Sequence, residues 1–551
     1  MKINYDFYKD ELNYNNLITP EVEKNIIENY ILKNKKENYK YIIEGDLSTE
    51  THYALSQDRE NIINWYPFKK GCKILEICSG LGEITGYLCG IANKVVAIET
   101  SKNRAEAIAH RHEEKTNLEI YAGNIEDIKL NEKFDYVVLI GNFEYASKLL
   151  KKSKKPYSDL LNIAKSYLKK DGTILLAANN ALGVENICGN KSELYNNVFE
   201  SLYDLREDNE VKLFTKKELE KIIQLNGFKK IKFYYPLPNY KLPNVIYSEN
   251  KLPTKNATKI LYSSIYNENS VVISNEQLIL NKLITNNLFE YFSNSFFIEI
   301  SDYSISKIDF VSFNNIRNEE YKLKLIMDSQ MVIKEPISFI SEKHIENIKN
   351  NIKTLKKYNM NILDNIQNSK ITSKYVSYLK LDDLLMDYIS NNKMEKFYDT
   401  LDLWYNELKN KILISKNKSD NENDIFKYLN IEISKDKKEK LNFIKDGYID
   451  LVFENAFIDK NKIIFFDQEW YLENIPFELI IYRAINNFYI FNPQVQNKID
   501  KISMLKRFNI DEYQEEFEKV EKSFQEKIID SKKMKFYTNM NRHRRDIVKL
   551  L

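Results

Sequence analysis

Much of what would place this 551-residue chain outside a cell or in a membrane is missing. Its four cysteines, at 72, 78, 89 and 188, have neither metal-ligand spacing nor the pattern of a disulfide framework. No apolar run approaches the roughly 18 residues needed to cross a bilayer. No signal peptide opens the chain, so a reducing, cytoplasmic setting is expected. Charge of one sign is also missing: 82 Lys and Arg against 80 Asp and Glu leave +2. With no basic patch interleaved with aromatics, a nucleic-acid partner is not expected. The length exceeds one ordinary core, and two or three domains are expected.

The informative stretch is KILEICSGLGEITGYLCGIANKVVAIET, residues 73–100. A β-branched apolar run at 74–77 predicts a strand, and Cys78-Ser79-Gly80-Leu81-Gly82 predicts a turn. A helix over 83–91 and a second strand at 95–98 follow, ending in Glu99. This is half of a doubly wound α/β sheet, with a ligand crevice at the first strand's carboxyl end. Gly80 and Gly82 let the backbone approach a ligand, and Glu99 can accept two ribose hydroxyls. A dinucleotide fingerprint needs a third glycine and a helix N-terminus open to phosphate. Here Glu83, Ile84 and Thr85 follow Gly82, which argues against NAD.

The pattern resembles motif I of the class I S-adenosylmethionine (SAM) methyltransferases, with Glu76 as its acid and Cys78 in place of its first glycine. SAM carries a sulfonium and no phosphate, so acids at 76, 83 and 99 are compatible with it. Further pieces keep the alternation: a helix at 102–115, strands at 118–122 and 134–140, a helix at 158–168 and a strand at 173–178. A helix at 216–226 and a strand at 231–235 close the series. Their order resembles the whole methyltransferase domain. That resemblance implies that Glu99 holds the ribose, that Asn124 and Ile125 border the adenine, and that Asn142 to Tyr145 flank the methionine end and the acceptor. Residue 124 is commonly an acid in that family. Glu144 is the candidate base for an amine or hydroxyl nucleophile. NFEY is not the Asn-Pro-Pro-Tyr of many amino-group methyltransferases. His110 and His112, two apart on one helix, face different sides and cannot share a metal.

Prolines at 236, 238, 243 and 253 predict an extended segment and a domain boundary near 250–256. This segment, with NNALGVENICG at 179–189, is similar to bacterial proteins encoded with polysaccharide biosynthesis enzymes. In the second half, GYIDLVFENAFIDKNKIIFFDQEW at 447–470 resembles the protein-kinase and aminoglycoside/choline-kinase fold. The resemblance makes Asp450 the base, and Asn455 and Asp467 the magnesium ligands. It makes Lys334 the nucleotide-binding lysine and Glu346 (or Glu342) its helix partner. Tyr448 stands where a His is usual, and no glycine occurs between Ile308 and Lys334 to form a phosphate-covering loop.

The expected architecture is therefore α/β: a helical cap at 1–68, a Rossmann-like methyltransferase domain at 69–250, an α+β kinase-like domain at 251–500 and a helical tail at 501–551. That order resembles the bifunctional methyltransferase–kinases that cap bacterial O-antigen chains. The expected function is methyl transfer from SAM to a cell-surface glycan or glycoconjugate, with ATP and magnesium as further cofactors if the second domain is an active kinase. The alternative is a non-catalytic second half that docks on a glycan, a glycosyltransferase or a glycoprotein. The basic tail Arg542-His543-Arg544-Arg545 is expected to be a solvated helix end, or else a contact with a partner protein or an anionic membrane surface.

Overall fold

The computed structural model describes residues 3–9, 19–192, 194, 197–203, 211–254, 270–413 and 424–537. The chain forms two units. One runs to Asn315 and takes up the chain again at Lys532; the other is Ile316–Ser531.

The first unit is built on one sheet. Its strands are β1 (Ile3–Asn4), β2 (Lys73–Ile77), β3 (Lys94–Glu99), β4 (Leu118–Ala122), β5 (Phe134–Ile140) and β6 (Leu168–Asn179). β7 (Lys230–Leu237), β8 (Val245–Ser248), β9 (Ser295–Ser301) and β10 (Phe310–Phe313) complete it, in the order β1-β4-β3-β2-β5-β6-β9-β7-β8-β10. Strands β1 to β6 pair in parallel. Every residue of β5 is buried, as its unbroken apolar run requires of a strand covered on both faces. The chain runs outward from β2 through β3 to β4, then returns to β5 on the other side of β2. That reversal opens a crevice at the carboxyl ends of β2 and β5.

Three expectations are corrected. The cap expected at 1–68 is not helical throughout: the helix Thr49–Leu55 gives way to a tight turn, Gln57–Ile62. Ser48 caps the first from Thr51 N, and Ser56 restarts the chain by accepting from Asp58 N. The boundary expected at 250 lies inside the first unit, because β9 enters between β6 and β7, antiparallel to both, and puts Phe296, Ile298 and Ile300 into the core. The proline-rich stretch is accordingly the β7–β8 antiparallel ladder. The expected 501–551 tail is divided between the units. Lys501–Arg507 and Gln514–Ile528 bury Leu505, Phe517 and Val520 in the second unit's core. Residues 532–537 rejoin the first unit, where Phe536 stacks on His52 with ring centroids 3.8 Å apart and Lys533 pairs with Asp58 at 2.6 Å. The basic tail at 542–545 lies outside the described residues.

The second unit begins with an antiparallel sheet of β11 (Leu323–Met327), β12 (Met331–Pro336), β13 (Asn365–Gln367) and β14 (Lys370–Lys374), in the order β11-β12-β14-β13. The helix Glu342–Lys357 packs on it through Ile345, Ile348 and Ile352. Beyond lie β15 (Leu379–Lys380), β16 (Phe443–Tyr448), β17 (Ala456–Asp459), β18 (Lys462–Phe465) and β19 (Tyr471–Pro476). They form a β15-β17-β18 sheet and a β16–β19 ladder against helices Leu381–Ser390, Met394–Leu408 and Phe477–Phe491, with Trp404 fully buried among them. No helix among the described residues is long and apolar enough to cross a membrane.

Candidate active site

The turn after β2 is left-handed at three residues: Cys78, Gly80 and Gly82 have φ of 57°, 60° and 77°. Glycine takes this conformation at little cost; Cys78 does not. A Cβ on Gly80 would sit 2.9 Å from Glu83 Oε2, and one on Gly82 would sit 3.0 Å from His112 Nε2. His112 Nε2 lies 2.8 Å from the Gly82 carbonyl and donates to it. Burial pushes this imidazole down to about 3, so it is neutral and structural.

Glu99 meets the turn from behind. Its Oε2 accepts from Gly80 N at 2.9 Å, and its Oε1 accepts from Ser101 N at 3.1 Å and Thr100 Oγ1 at 3.2 Å. Glu76 is buried and accepts from Thr85 Oγ1 at 2.7 Å; burial pushes its carboxyl up to about 8. Asn142, after β5, donates to the carbonyls of Cys78 (2.8 Å) and Ile140 (3.0 Å), which ties the two strand ends together. Glu144 is buried in the crevice wall. Its Oε1 accepts from Asn179 N at 2.8 Å, while its Oε2 has no hydrogen-bond partner. Burial pushes this carboxyl up to about 7.

Cys78, Gly80, Glu76, Asn142 and Glu144 thus line one crevice. Asn124 and Ile125 do not. Asn124 donates to the Leu149 carbonyl at 2.6 Å, and Ile125 is packed in the core, because both sit where the chain after β4 turns back on itself. The sequence reading missed four residues that cover the crevice: Glu23, Tyr53, Arg59 and Tyr240. Arg59 Nη1 donates to the Tyr240 carbonyl at 2.9 Å, and its guanidinium stands 4.6 Å from the Tyr53 ring centroid. Glu23 grips Arg104 with two bonds of 2.9 and 2.6 Å. No spacing rule relates these positions; the buried arginine in an otherwise polar segment is visible only in three dimensions.

The space within the crevice is about 40 Å³. The donor set fits an adenosyl sulfonium: backbone at a left-handed turn, a carboxylate beside it, and buried acids whose hydrogen bonds come from neutral groups.

A second cluster lies in Ile316–Ser531. Lys334 on β12 ion-pairs with both Asp467 and Glu469, and Arg317 pairs with Glu469 at 2.7 Å. Burial opposes charge on Glu469, but Arg317 and Lys334 outweigh it and hold its carboxyl well below the usual range. Asp467 is left-handed, at φ 58°, and its N–H donates to Asp364 Oδ2 at 2.7 Å. Asn455 Nδ2 reaches the carbonyls of Asp450 and Asp467 at 3.4 and 3.5 Å. A cavity of about 210 Å³ lined by Leu325, Val332, Ile371, Phe457 and Phe466 adjoins Lys334 and Asp467.

Two residues depart from the expected kinase-like roles. Glu346 pairs with Lys349 on the solvent side of its helix, since Ile345 and Ile348 take the buried side, and it is Glu469 that answers Lys334. Glu342 is exposed as well. Asp450 is buried, with Oδ2 accepting from Glu469 N at 2.9 Å and Trp470 N at 2.8 Å and Oδ1 3.6 Å from Arg483 Nη2. Its Oδ2 clamps a backbone bend.

The parallel sheet, its reversal point and the glycine turn backed by a carboxylate define a Rossmann-like methyltransferase fold. A family model described as a methyltransferase domain matches residues 74–172, and the N-terminal part of the chain carries a class I SAM-dependent methyltransferase domain. No curated protein matches the chain. Among solved structures, it is similar to Haemonchus contortus phosphoethanolamine N-methyltransferase 1, at 13% identity and TM-score 0.29, over 50% of this chain and 51% of that one. The chain thus spans about half the length of that enzyme. It is also similar to a SAM-dependent methyltransferase from Archaeoglobus fulgidus, at 17% identity and TM-score 0.28, over 48% and 99% of the two chains. A putative methyltransferase from Bacillus halodurans matches at 14% identity and TM-score 0.27, over 45% and 100%. Identities and scores this low say nothing of the acceptor.

Proposed function

We propose that this chain transfers a methyl group from SAM to a hydroxyl or amine on a bacterial cell-surface glycan or glycoconjugate. The observation that carries the reaction type is Glu144: a buried carboxyl with one oxygen unpartnered, in the same crevice wall as the Gly80 turn. When bound, SAM supplies an electrophilic methyl on a sulfonium. Glu99 and the Gly80 turn position the donor, and Asn142 fixes the distance between the strand ends that frame it. Glu144 accepts the proton released as the acceptor oxygen or nitrogen forms its bond to carbon. A phosphate oxygen already carries its charge and needs no such base, so the geometry favours a proton-bearing acceptor. The glycan reading rests on the likeness of 179–189 and 234–253 to polysaccharide-associated proteins and on the domain order.

For Ile316–Ser531, the Lys334–Asp467–Asn455 arrangement and its apolar cavity support binding of ATP with magnesium. The engagement of Asp450 by backbone amides favours a kinase-like module that binds and docks, on a glycan, a glycosyltransferase or a glycoprotein, over one that phosphorylates.

The test uses purified chain, radiolabelled SAM and surface glycans from cells lacking the gene. Methyl transfer should rise with pH through about 7, the Glu144 value. Glu144→Gln should lower the rate about 10²–10⁴-fold and flatten that rise, while leaving SAM affinity nearly unchanged. Equal rates in the two proteins would remove Glu144 from the chemistry. Magnesium-ATP should raise the melting temperature, an effect lost in Asp467→Ala, with no phosphate transferred to the glycan.

A further inference from the structure

The second unit contains a larger cavity, of about 570 Å³, that shares no lining residue with the one beside Lys334. It lies within the usual range of small-molecule sites, about 300–1,000 Å³. One wall is the helix Glu342–Lys357. Asn347, Asn350, Asn351 and Thr354 fall at spacings of three and four and face the cavity together. That stripe is uncharged, on a helix whose other polar positions are mostly lysine and glutamate. The rest of the lining is rich in aromatics: Tyr321, Tyr448, Trp470, Tyr471 and Phe524.

Two of these rings are held in place by their neighbours. Trp470 is wedged between Tyr321, His344 and Phe524, with ring centroids 5.1, 4.6 and 5.3 Å away. Tyr471 is fixed by its hydroxyl, which donates to Asp446 Oδ1 at 3.1 Å, and it still exposes 39% of its surface. Of the charged lining groups, Glu469 is neutralised by Lys334 and Arg317. Asp446 is occupied by the hydroxyls of Tyr358 (2.6 Å) and Tyr471. Lys527 is the one cationic side chain in the lining, too little for a phosphate chain or a nucleotide. What remains is the aromatic rings of Trp470 and Tyr471 together with the amides of Asn347 and Asn350, the Asn351 amide being taken by the carbonyls of Gln468 and Glu469. Aromatic faces cover the apolar C–H surfaces of a ring, and amides both donate to and accept from hydroxyls.

From this pairing we infer that the cavity binds a neutral, hydroxyl-rich ligand: a short segment of glycan. The site is separate from the methyl-transfer crevice, and the inference stands on residues of Ile316–Ser531 alone. It gives the docking reading of this unit a place and a ligand class.

The full-length chain is screened against an array of neutral and acidic oligosaccharides, and hits are titrated by tryptophan emission. Trp65 and Trp404 are 2% and 0% exposed, so Trp470 is the reporter. Expected are saturable binding of a neutral oligosaccharide with an emission shift, and loss of that shift in Trp470→Phe. Joint replacement Asn347→Ala and Asn350→Ala, at exposed positions, should weaken binding about tenfold or more. SAM affinity and melting temperature should hold. Binding of no neutral oligosaccharide, binding of acidic ones only, or neutral binding insensitive to the asparagine pair would each overturn the assignment. SAM affinity, measured on the same samples, separates this failure from failure of the methyltransferase reading.

Discussion

The two units each bury a group of acids, and they set different partners beside them. In the crevice, Glu76 is answered by a hydroxyl and Glu144 by the amides of Asn179. The nearby cations are spent elsewhere, Arg59 on the Tyr240 carbonyl and Arg104 on Glu23. Both carboxyls are accordingly displaced towards the neutral form. In the second unit, Asp467 and Glu469 have Lys334 and Arg317 built in. Neither crevice carboxyl has an ion-pair partner among the described residues. The second unit holds its ion pairs internally, although burial still displaces Asp467 towards the neutral form.

The sharpest way to break this contrast is to take charge from the crevice. Glu99→Gln, measured by calorimetry, should cost SAM on the order of 10²-fold in affinity, through weakened bonds to charged groups. An unchanged affinity would mean that this carboxylate only braces the turn. Next, Asp450→Ala should destabilise the second unit by about 3 kcal/mol in chemical denaturation, because two buried amides lose their acceptor. It should leave SAM affinity and methyl transfer intact, and loss of transfer would contradict the clamp role.

A smaller effect concerns pH. Glu76 is raised from its unfolded value to about 8, so it favours the folded state fully below the ordinary glutamate range, and that contribution fades as pH rises through 8. Buried His52 and His112 are lowered to about 4 and 3 and are neutral in both states above pH 7, so they do not mask this window. Ligand-free protein should lose about 1 kcal/mol between pH 7 and 9, and Glu76→Gln should flatten that slope. The smallest expected change is Cys78→Gly. Relief of the left-handed strain, about 1 kcal/mol, offsets the lost burial, for a net change within about 1 kcal/mol. Cys78→Val should instead destabilise, and a melting curve distinguishes the two.

The first unit's frame was legible because its strands are short apolar runs punctuated by turns. β4 and β5 appear with their expected bounds, and the parallel pairing of the strands follows from the alternation. The lost parts are those where distant segments meet. β9 is apolar enough to be a strand, but nothing local says that it enters between β6 and β7. The kinase-like resemblance implies Glu346 or Glu342 as the partner of Lys334; helix phase and burial choose Glu469 instead. Asp450 keeps the motif's position in sequence, yet its carboxylate faces backbone amides, an orientation that no spacing encodes.

The return of residues 532–537 has a consequence for biogenesis. Phe536 and Lys533 hold His52 and Asp58, the immediate neighbours of Tyr53 and Arg59 in the crevice cover. On the ribosome, every strand of the first unit's sheet has emerged once Asn315 is made, but the contacts of Lys533 and Phe536 with Asp58 and His52 must wait until Ile316–Ser531 has been synthesised. A nascent or prematurely terminated chain would therefore carry the Gly80 turn without these two contacts beside Tyr53 and Arg59.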